Sequence, residues 1–280
     1  MKLKIHAAAL AAAALLFSLP AAAQQAQQPK PYEPQVGQAG KDVIWVPTPD
    51  EVVDRMLRMA QVTKDDVVYD LGAGDGKIAI AAAKKFGARS TGIEYNPEMA
   101  RHAQGNAEKA GVNGRARIIQ GDIFATNFSE ATVVTMYLLP GLNMKLRPTL
   151  LAMKPGTRVV SHSFTMEDWE ADEISSMDGR RAYFWVVTAN VNGTWALESG
   201  SEKNELAFEQ RFQKIEGTVN LGLTQGGLRA PRLSGFNISF ALVDNNGVLR
   251  NYSGRVVGNR MEGSYRGDNG SEGRWTATKK

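Results

Sequence analysis

The sequence predicts two architectures in tandem: an α/β region up to about residue 189, then a small all-β sandwich or barrel. Three observations carry this. A short β-branched run, Val67-Val68-Tyr69-Asp70-Leu71, opens into Gly72-Ala73-Gly74-Asp75-Gly76 and then a helix-forming run from Lys77 to Phe86, which reads as strand, tight turn and helix. Further apolar runs alternate with helical patterns, as parallel strands joined by crossover helices do. From about Asn190 helical periodicity stops, and short alternating runs are divided by Gly, Asn and Asp at regular intervals.

Composition narrows the function classes. At 280 residues, 43% hydrophobic and 22% charged, the chain has the makeup of an ordinary globular protein of one large or two modest domains. The absence of cysteine excludes disulfides, thiolate metal sites, cysteine catalysis and a lipidated N-terminal cysteine. His6, His102 and His162 are scattered, without metal-ligand spacing. The formal net charge is +4, and Lys2 and Lys4 supply two of those charges, so nothing in the charge balance points to nucleic acid.

Met1 to Ala23 has the pattern of a secretory signal: Lys2 and Lys4, an apolar core from Ala7 to Phe17, and Ala21-Ala22-Ala23 before a cut ahead of Gln24. Cleavage there would leave no stable membrane span and a periplasmic or secreted protein; the alternative is an uncleaved membrane anchor, for which the apolar run is short and interrupted at its end by Pro20. Residues 24–40, rich in Gln and Pro, read as a flexible linker. Order resumes at Ile44-Trp45-Val46-Pro47-Thr48-Pro49. Thr48 and Glu51 have capping-box spacing with Pro49 at the first helical position, and Val52, Val53, Met56, Leu57 and Ala60 share one helix face.

After the glycine turn, Ser90 to Glu94 reads as the second strand. Glu94 lies 18 residues beyond Gly76, close to the separation at which a strand-end carboxylate meets ribose hydroxyls. Asn96 and Pro97 start the next helix and Gly111 ends it. Ala116 to Gln120 is the third strand, followed by Gly121-Asp122-Ile123, and Ala131 to Tyr137 is the fourth. A helix from Leu142 to Met153 stops at Pro155-Gly156, a fifth strand follows, and Asp178-Gly179 marks a terminal hairpin. In the all-β part, Gly193-x-Trp195 and Gly273-x-Trp275 suggest neighbouring strands that close the sheet, each burying a tryptophan. The D-x-G-x-G-x-G spacing is not the dinucleotide fingerprint, since Lys77 stands where the third glycine would be.

Asp70 to Gly76 resembles motif I of the class I S-adenosylmethionine-dependent methyltransferases, and the resemblance extends over roughly Ile44 to Ala189. It implies a Rossmann-like methyltransferase sheet, mostly parallel with an antiparallel terminal hairpin, and S-adenosylmethionine as cofactor. The glycine turn (Gly72, Ala73, Gly74, Gly76) would pass under the cofactor, with Asp70 helping to hold it and Glu94 on the ribose. Asp122 would take the adenine amino group, Ile123 would pack on the ring, and Thr48 would reach cofactor at the sheet edge. Tyr137, in Tyr137-Leu138-Leu139-Pro140, would line the acceptor channel as the catalytic candidate. Together with V-P-T-P and Arg158-Val159-Val160-Ser161-His162, that form is similar to bacterial relatives of the mitochondrial protein-lysine methyltransferases. It departs from the acidic or amide residue, two prolines and aromatic of many amine methyltransferases. The expectation is methyl transfer to a protein or small-molecule acceptor, such as a protein lysine. The domains expected are 1–23 signal peptide, 24–40 linker, 41–189 methyltransferase and 190–280 accessory β domain. The alternative is a non-catalytic extracytoplasmic binding protein acting through its β domain.

Overall fold

The structure, a computed structural model, describes residues 32–222 and 224–280. The expected signal peptide, and with it the cut after Ala23, lies outside the described residues. Four helices and seven strands form the first layer system: α1 Asp50–Met59, β1 Val67–Leu71, α2 Lys77–Phe86, β2 Arg89–Glu94, α3 Pro97–Lys109, β3 Ala116–Gln120, β4 Val133–Met136, α4 Pro140–Leu151, β5 Arg158–His162, β6 Glu173–Met177 and β7 Arg180–Val186.

These strands make one sheet in the order β3-β2-β1-β4-β5-β7-β6. Pairing is parallel from β3 through β5, and β7 runs antiparallel to both β5 and β6. Strand order reverses at β1, so a crevice opens outside the carboxyl ends of β1, β2 and β4, where open α/β sheets bind ligands. Both faces are covered, and accordingly β1 and β4 bury nearly every residue. The β6–β7 hairpin turns on Asp178 (φ 48°) and Gly179 (φ 77°), the two left-handed positions of a two-residue turn matched to strand twist.

Two local expectations change. Helix α1 begins at Asp50, with Pro49 as its N-cap and no side-chain cap bond. The carbonyl of Pro49 accepts from Val52 and Val53, while Asp50 and Glu51 complement the helix dipole, so the Thr48 hydroxyl is not consumed by capping. Helix α4 starts at Pro140 rather than Leu142, because Leu139 takes extended backbone and Pro140 is suited to a first turn. The Asn96 cap forms as expected, its side chain accepting from Glu98 and Met99.

Nine further strands follow: β8 Gly193–Ser199, β9 Glu202–Arg211, β10 Lys214–Asn220, β11 Gln225–Gly227, β12 Arg229–Ser234, β13 Asn237–Val243, β14 Leu249–Val257, β15 Arg260–Gly267 and β16 Glu272–Lys279. They form a second, wholly antiparallel sheet in the order β11-β10-β9-β8-β16-β15-β14-β13-β12. Its two edge strands are consecutive in the chain, separated only at Leu228, whose N–H donates to the Gly217 carbonyl at 2.8 Å. The sheet therefore curls into a nearly closed barrel.

Strands β8 and β16 pair as the repeated Gly-x-Trp pattern suggests, and Trp195 and Trp275 are both buried. The register sets Trp275 opposite Ser199 and Trp195 opposite Lys279, so the two rings fill different levels of the core. Each indole N–H is satisfied, Trp195 by the Val191 carbonyl and Trp275 by the Ser253 and Ser264 carbonyls. The barrel packs on the first sheet through the β9–β10 turn, where Phe212 stacks 6.1 Å from Trp169. Phe236 also closes against Gly156, where an added Cβ would lie 3.2 Å from the ring.

Candidate active site

One cavity of about 290 Å³ opens at the carboxyl ends of β1, β2 and β4. The structure brings Thr48, Asp70, Gly72, Ala73, Gly74, Glu94, Asp122, Ile123 and Tyr137 together in its wall. Gly76 is the exception. It is the left-handed N-cap of α2, and an added Cβ would meet Ala103 and Ile118 at 3.2 and 3.3 Å. Its lack of a side chain serves close packing of the turn against α3 and β3, and it does not line the cavity.

Each acidic residue has a distinct environment. Asp70 is buried, and the Thr135 hydroxyl donates to its Oδ1 at 2.8 Å. Burial pushes its carboxyl up to about 7, the hydrogen bond from Thr135 opposes this, and the nearby charges of Asp75 and Glu94 add to it. Glu94 clamps the turn: the Gly74 N–H donates to Oε2 and the Asn96 N–H to Oε1, both at 2.9 Å. Burial raises its pKa against the pull of those two donors. At the other end of the cavity, the Lys41 ammonium donates to Asp122 Oδ2 at 2.8 Å and the Phe124 N–H to Oδ1 at 2.9 Å. The hydrogen bond from Lys41 is the main reason the Asp122 carboxyl titrates lower than usual.

Lys41 belongs to a feature with no local signal in the sequence. Residues 37–45 form a small hairpin across the cavity, with Gly37 N–H to Trp45 carbonyl and Trp45 N–H to Gln38 carbonyl bonds of 2.8 and 2.9 Å. Trp45 lies on the glycine turn so closely that a Cβ on Gly74 would sit 2.4 Å from its Nε1. Gly74 also has φ +54°, so the position excludes a side chain on two counts.

The opposite wall is aromatic. Tyr137 stacks on Phe164 with centroids 6.1 Å apart, and its ring lies 4.0 Å from that of His162. His162 is 2% exposed, its Nδ1 lies 3.2 Å from the Thr48 hydroxyl, and its Nε2 has no protein partner among the described residues. Burial, with a smaller effect of Arg180, lowers its pKa to about 4, so the imidazole is neutral at ordinary pH. Thr48 thus lines the cavity while its hydroxyl contacts His162 behind the wall.

A profile of the ANTKMT methyltransferase domain matches residues 70–173. The protein-lysine N-methyltransferase of Saccharolobus islandicus (strain REY15A) is 51% identical over 151 residues, covering 52% of this chain and 94% of that one. This chain belongs to the protein-lysine N-methyltransferase family. The mouse ATP synthase C-subunit lysine N-methyltransferase is 28% identical over 176 residues, covering 57% of this chain and 70% of that protein. The crystal structure of an RNA methyltransferase from Salinibacter ruber in complex with S-adenosyl-L-homocysteine is 50% identical with a TM-score of 0.51, covering 52% of this chain and 96% of that one.

The protein is accordingly an S-adenosylmethionine-dependent methyltransferase. The residues present fit that cofactor. Gly72 and Gly74 bring bare backbone to the cavity wall between the side chains of Leu138 and Trp45, Asp70 is a buried acid held by Thr135, and Glu94 and Asp122 offer further acceptors along the cavity.

Proposed function

We propose that the methyltransferase acts on the ε-amino group of a lysine in a protein acceptor, with Tyr137 lining the channel by which that side chain enters. The observation that carries this is the Tyr137–Phe164 stack in the cavity wall beside a neutral His162. Flat aromatic faces suit the aliphatic stem of a lysine. The Saccharolobus and mouse relatives, both lysine N-methyltransferases by name, support the same reading.

Bound S-adenosylmethionine supplies a methyl group already activated by its sulfonium. The chain's own residues supply position and dryness. Asp70, Glu94 and Asp122, with the Gly72–Gly74 backbone, would hold the cofactor, Ile123 would pack on its base, and Thr48 would reach it from the sheet edge. The acceptor nitrogen attacks only as the free amine, so the ammonium must first lose a proton to water. Desolvation against Tyr137, Leu138 and Phe164 disfavours the charged form and lowers the lysine pKa. Holding the acceptor amine in place toward the methyl group would lower the barrier further.

Residues 41–189 are read as the methyltransferase domain and 190–280 as an accessory β domain. A signal peptide over residues 1–23, and with it a periplasmic or secreted location, is part of the same proposal and is checked by N-terminal sequencing of the exported protein, with Gln24 expected first. The acceptor is tested by incubating the enzyme with labelled S-adenosylmethionine and separate protein and RNA fractions. Label in protein, mapped by mass spectrometry to methyl-lysine and abolished by prior blocking of acceptor amines, supports the proposal. Label in RNA, or in protein residues other than lysine, overturns it.

A further inference from the structure

The outward face of β12 to β16 contributes no residue to the cofactor cavity, yet it is built unlike an ordinary solvated sheet. Side chains alternate along these strands, so Phe240, Tyr252 and Trp275 enter the core while their neighbours face out. The register aligns one outward row across five strands: Arg232 opposite Ser239, Ser239 opposite Ser253, Ser253 opposite Ser264, and Ser264 opposite Arg274. The next outward row runs Arg229, Ala241, Asn251, Arg266 and Glu272, so the arginines of this face outnumber the two acids beside them, Glu272 and Glu262. Short residues thus form a floor and arginines stand on both sides, about 19 Å apart at the backbone given strands about 4.8 Å apart.

Two adjoining depressions of about 760 and 620 Å³ share Ser239, Ser253, Ser264 and Arg274. Among the described residues, the hydroxyls of Ser239, Ser253 and Ser264 make no hydrogen bond, and Arg229, Arg232 and Arg274 have no carboxylate partner. Arg266 is loosely paired with Glu272 at 3.4 Å on an exposed rim.

We propose that this groove binds an acidic glycan, a chain of sugars bearing carboxylate, sulfate or phosphate groups. The guanidinium forks match such anions bidentately. Three unpartnered hydroxyls and Asn251 offer the many small donors and acceptors that sugar hydroxyls need. The outward rows present no aromatic side chain on which a nucleobase would stack, and no large apolar anchor of the kind that dominates protein interfaces. Charge complementarity without either feature selects a polar, anionic carbohydrate.

The test is titration of the full chain with a heparin oligosaccharide, beside a neutral dextran oligosaccharide of equal length, a poly-glutamate peptide and a single-stranded oligonucleotide. The heparin oligosaccharide is expected to bind with an affinity that falls as salt rises. Dextran is expected not to bind, and the other two polyanions to bind at least about tenfold more weakly, the factor a lost charge-assisted contact gives. The R232E/R274E variant should lose at least about tenfold in heparin affinity while keeping its S-adenosylmethionine affinity and melting temperature. If that variant fails to fold, Ser253→Leu, which fills the floor from an exposed position, takes its place with the same expected loss. No binding of heparin, equal binding by a folded variant, or equal binding of poly-glutamate or oligonucleotide overturns the proposal.

Discussion

Replacing Asp70 with asparagine should make the stability of the methyltransferase less sensitive to pH. In the folded chain burial holds the Asp70 proton up to a pKa of about 7, whereas the ordinary value is 3.8. The unfolded chain therefore releases this proton first as pH rises. Stability from this group is highest below about pH 4, falls between there and about pH 7, and is flat above. The rise from 3.8 to about 7 corresponds to about 4 kcal/mol over the whole window. Between about pH 5 and about pH 8.5 the wild-type chain should lose about 2–3 kcal/mol relative to Asp70→Asn, which has no charge to bury but keeps a carbonyl to accept from Thr135. The assay is urea unfolding of both proteins at several pH values, following the transition that cofactor moves to higher denaturant. The variant should also bind S-adenosylmethionine more weakly, since the buried carboxylate is kept at the expense of stability. Parallel pH profiles for the two proteins would refute the reasoning.

Other expectations follow from single contacts. Glu94→Ala removes a charged acceptor from the cavity and should weaken S-adenosylmethionine binding by about 1.5–3 kcal/mol in calorimetry, with unchanged affinity counting against its role. Tyr137→Ala should leave cofactor affinity within about threefold yet lower methyl transfer at least about tenfold in single-turnover assays; a drop confined to cofactor binding would remove Tyr137 from the acceptor side. Lys41→Ala unties the hairpin from Asp122, so both association and dissociation of cofactor should quicken in stopped-flow traces. Trp275→Ala should destabilise the barrel by about 3–5 kcal/mol without altering cofactor affinity, and coupled losses would show that the two sheets unfold as one.

The parts of the site legible in the sequence are those where chemistry follows directly on a strand end. The glycine turn after β1, Glu94 at the end of β2 and Asp122 just beyond β3 each carry a local signal, and the strand–helix alternation fixes their common edge. Contacts made between distant segments leave no such trace. Lys41 meets Asp122 across 81 positions and Thr48 meets His162 across 114. A capping-box pattern at Thr48 competes with a buried histidine needing a partner, and the histidine wins because Pro49 and the first-turn acids already serve the helix start. Gly76 is indistinguishable in sequence from its ligand-facing neighbours, because a glycine needed for helix packing has the same letter as one needed for a ligand. The repeated Gly-x-Trp identifies neighbouring strands, but register depends on which core level each ring fills and is not written in the repeat.

No strand is exchanged between the two sheets, since β7 ends at Val186 before β8 begins at Gly193. A chain emerging N-terminus first therefore presents every strand of the catalytic sheet before any strand of the barrel. The barrel has the opposite habit: its first strand, β8, takes its second partner only from its last, β16. Until β16 arrives, one side of β8 stays an open edge beside an unsealed tryptophan core. Vulnerability to edge-to-edge association therefore lasts until β16 is in place, since that strand covers the free side of β8.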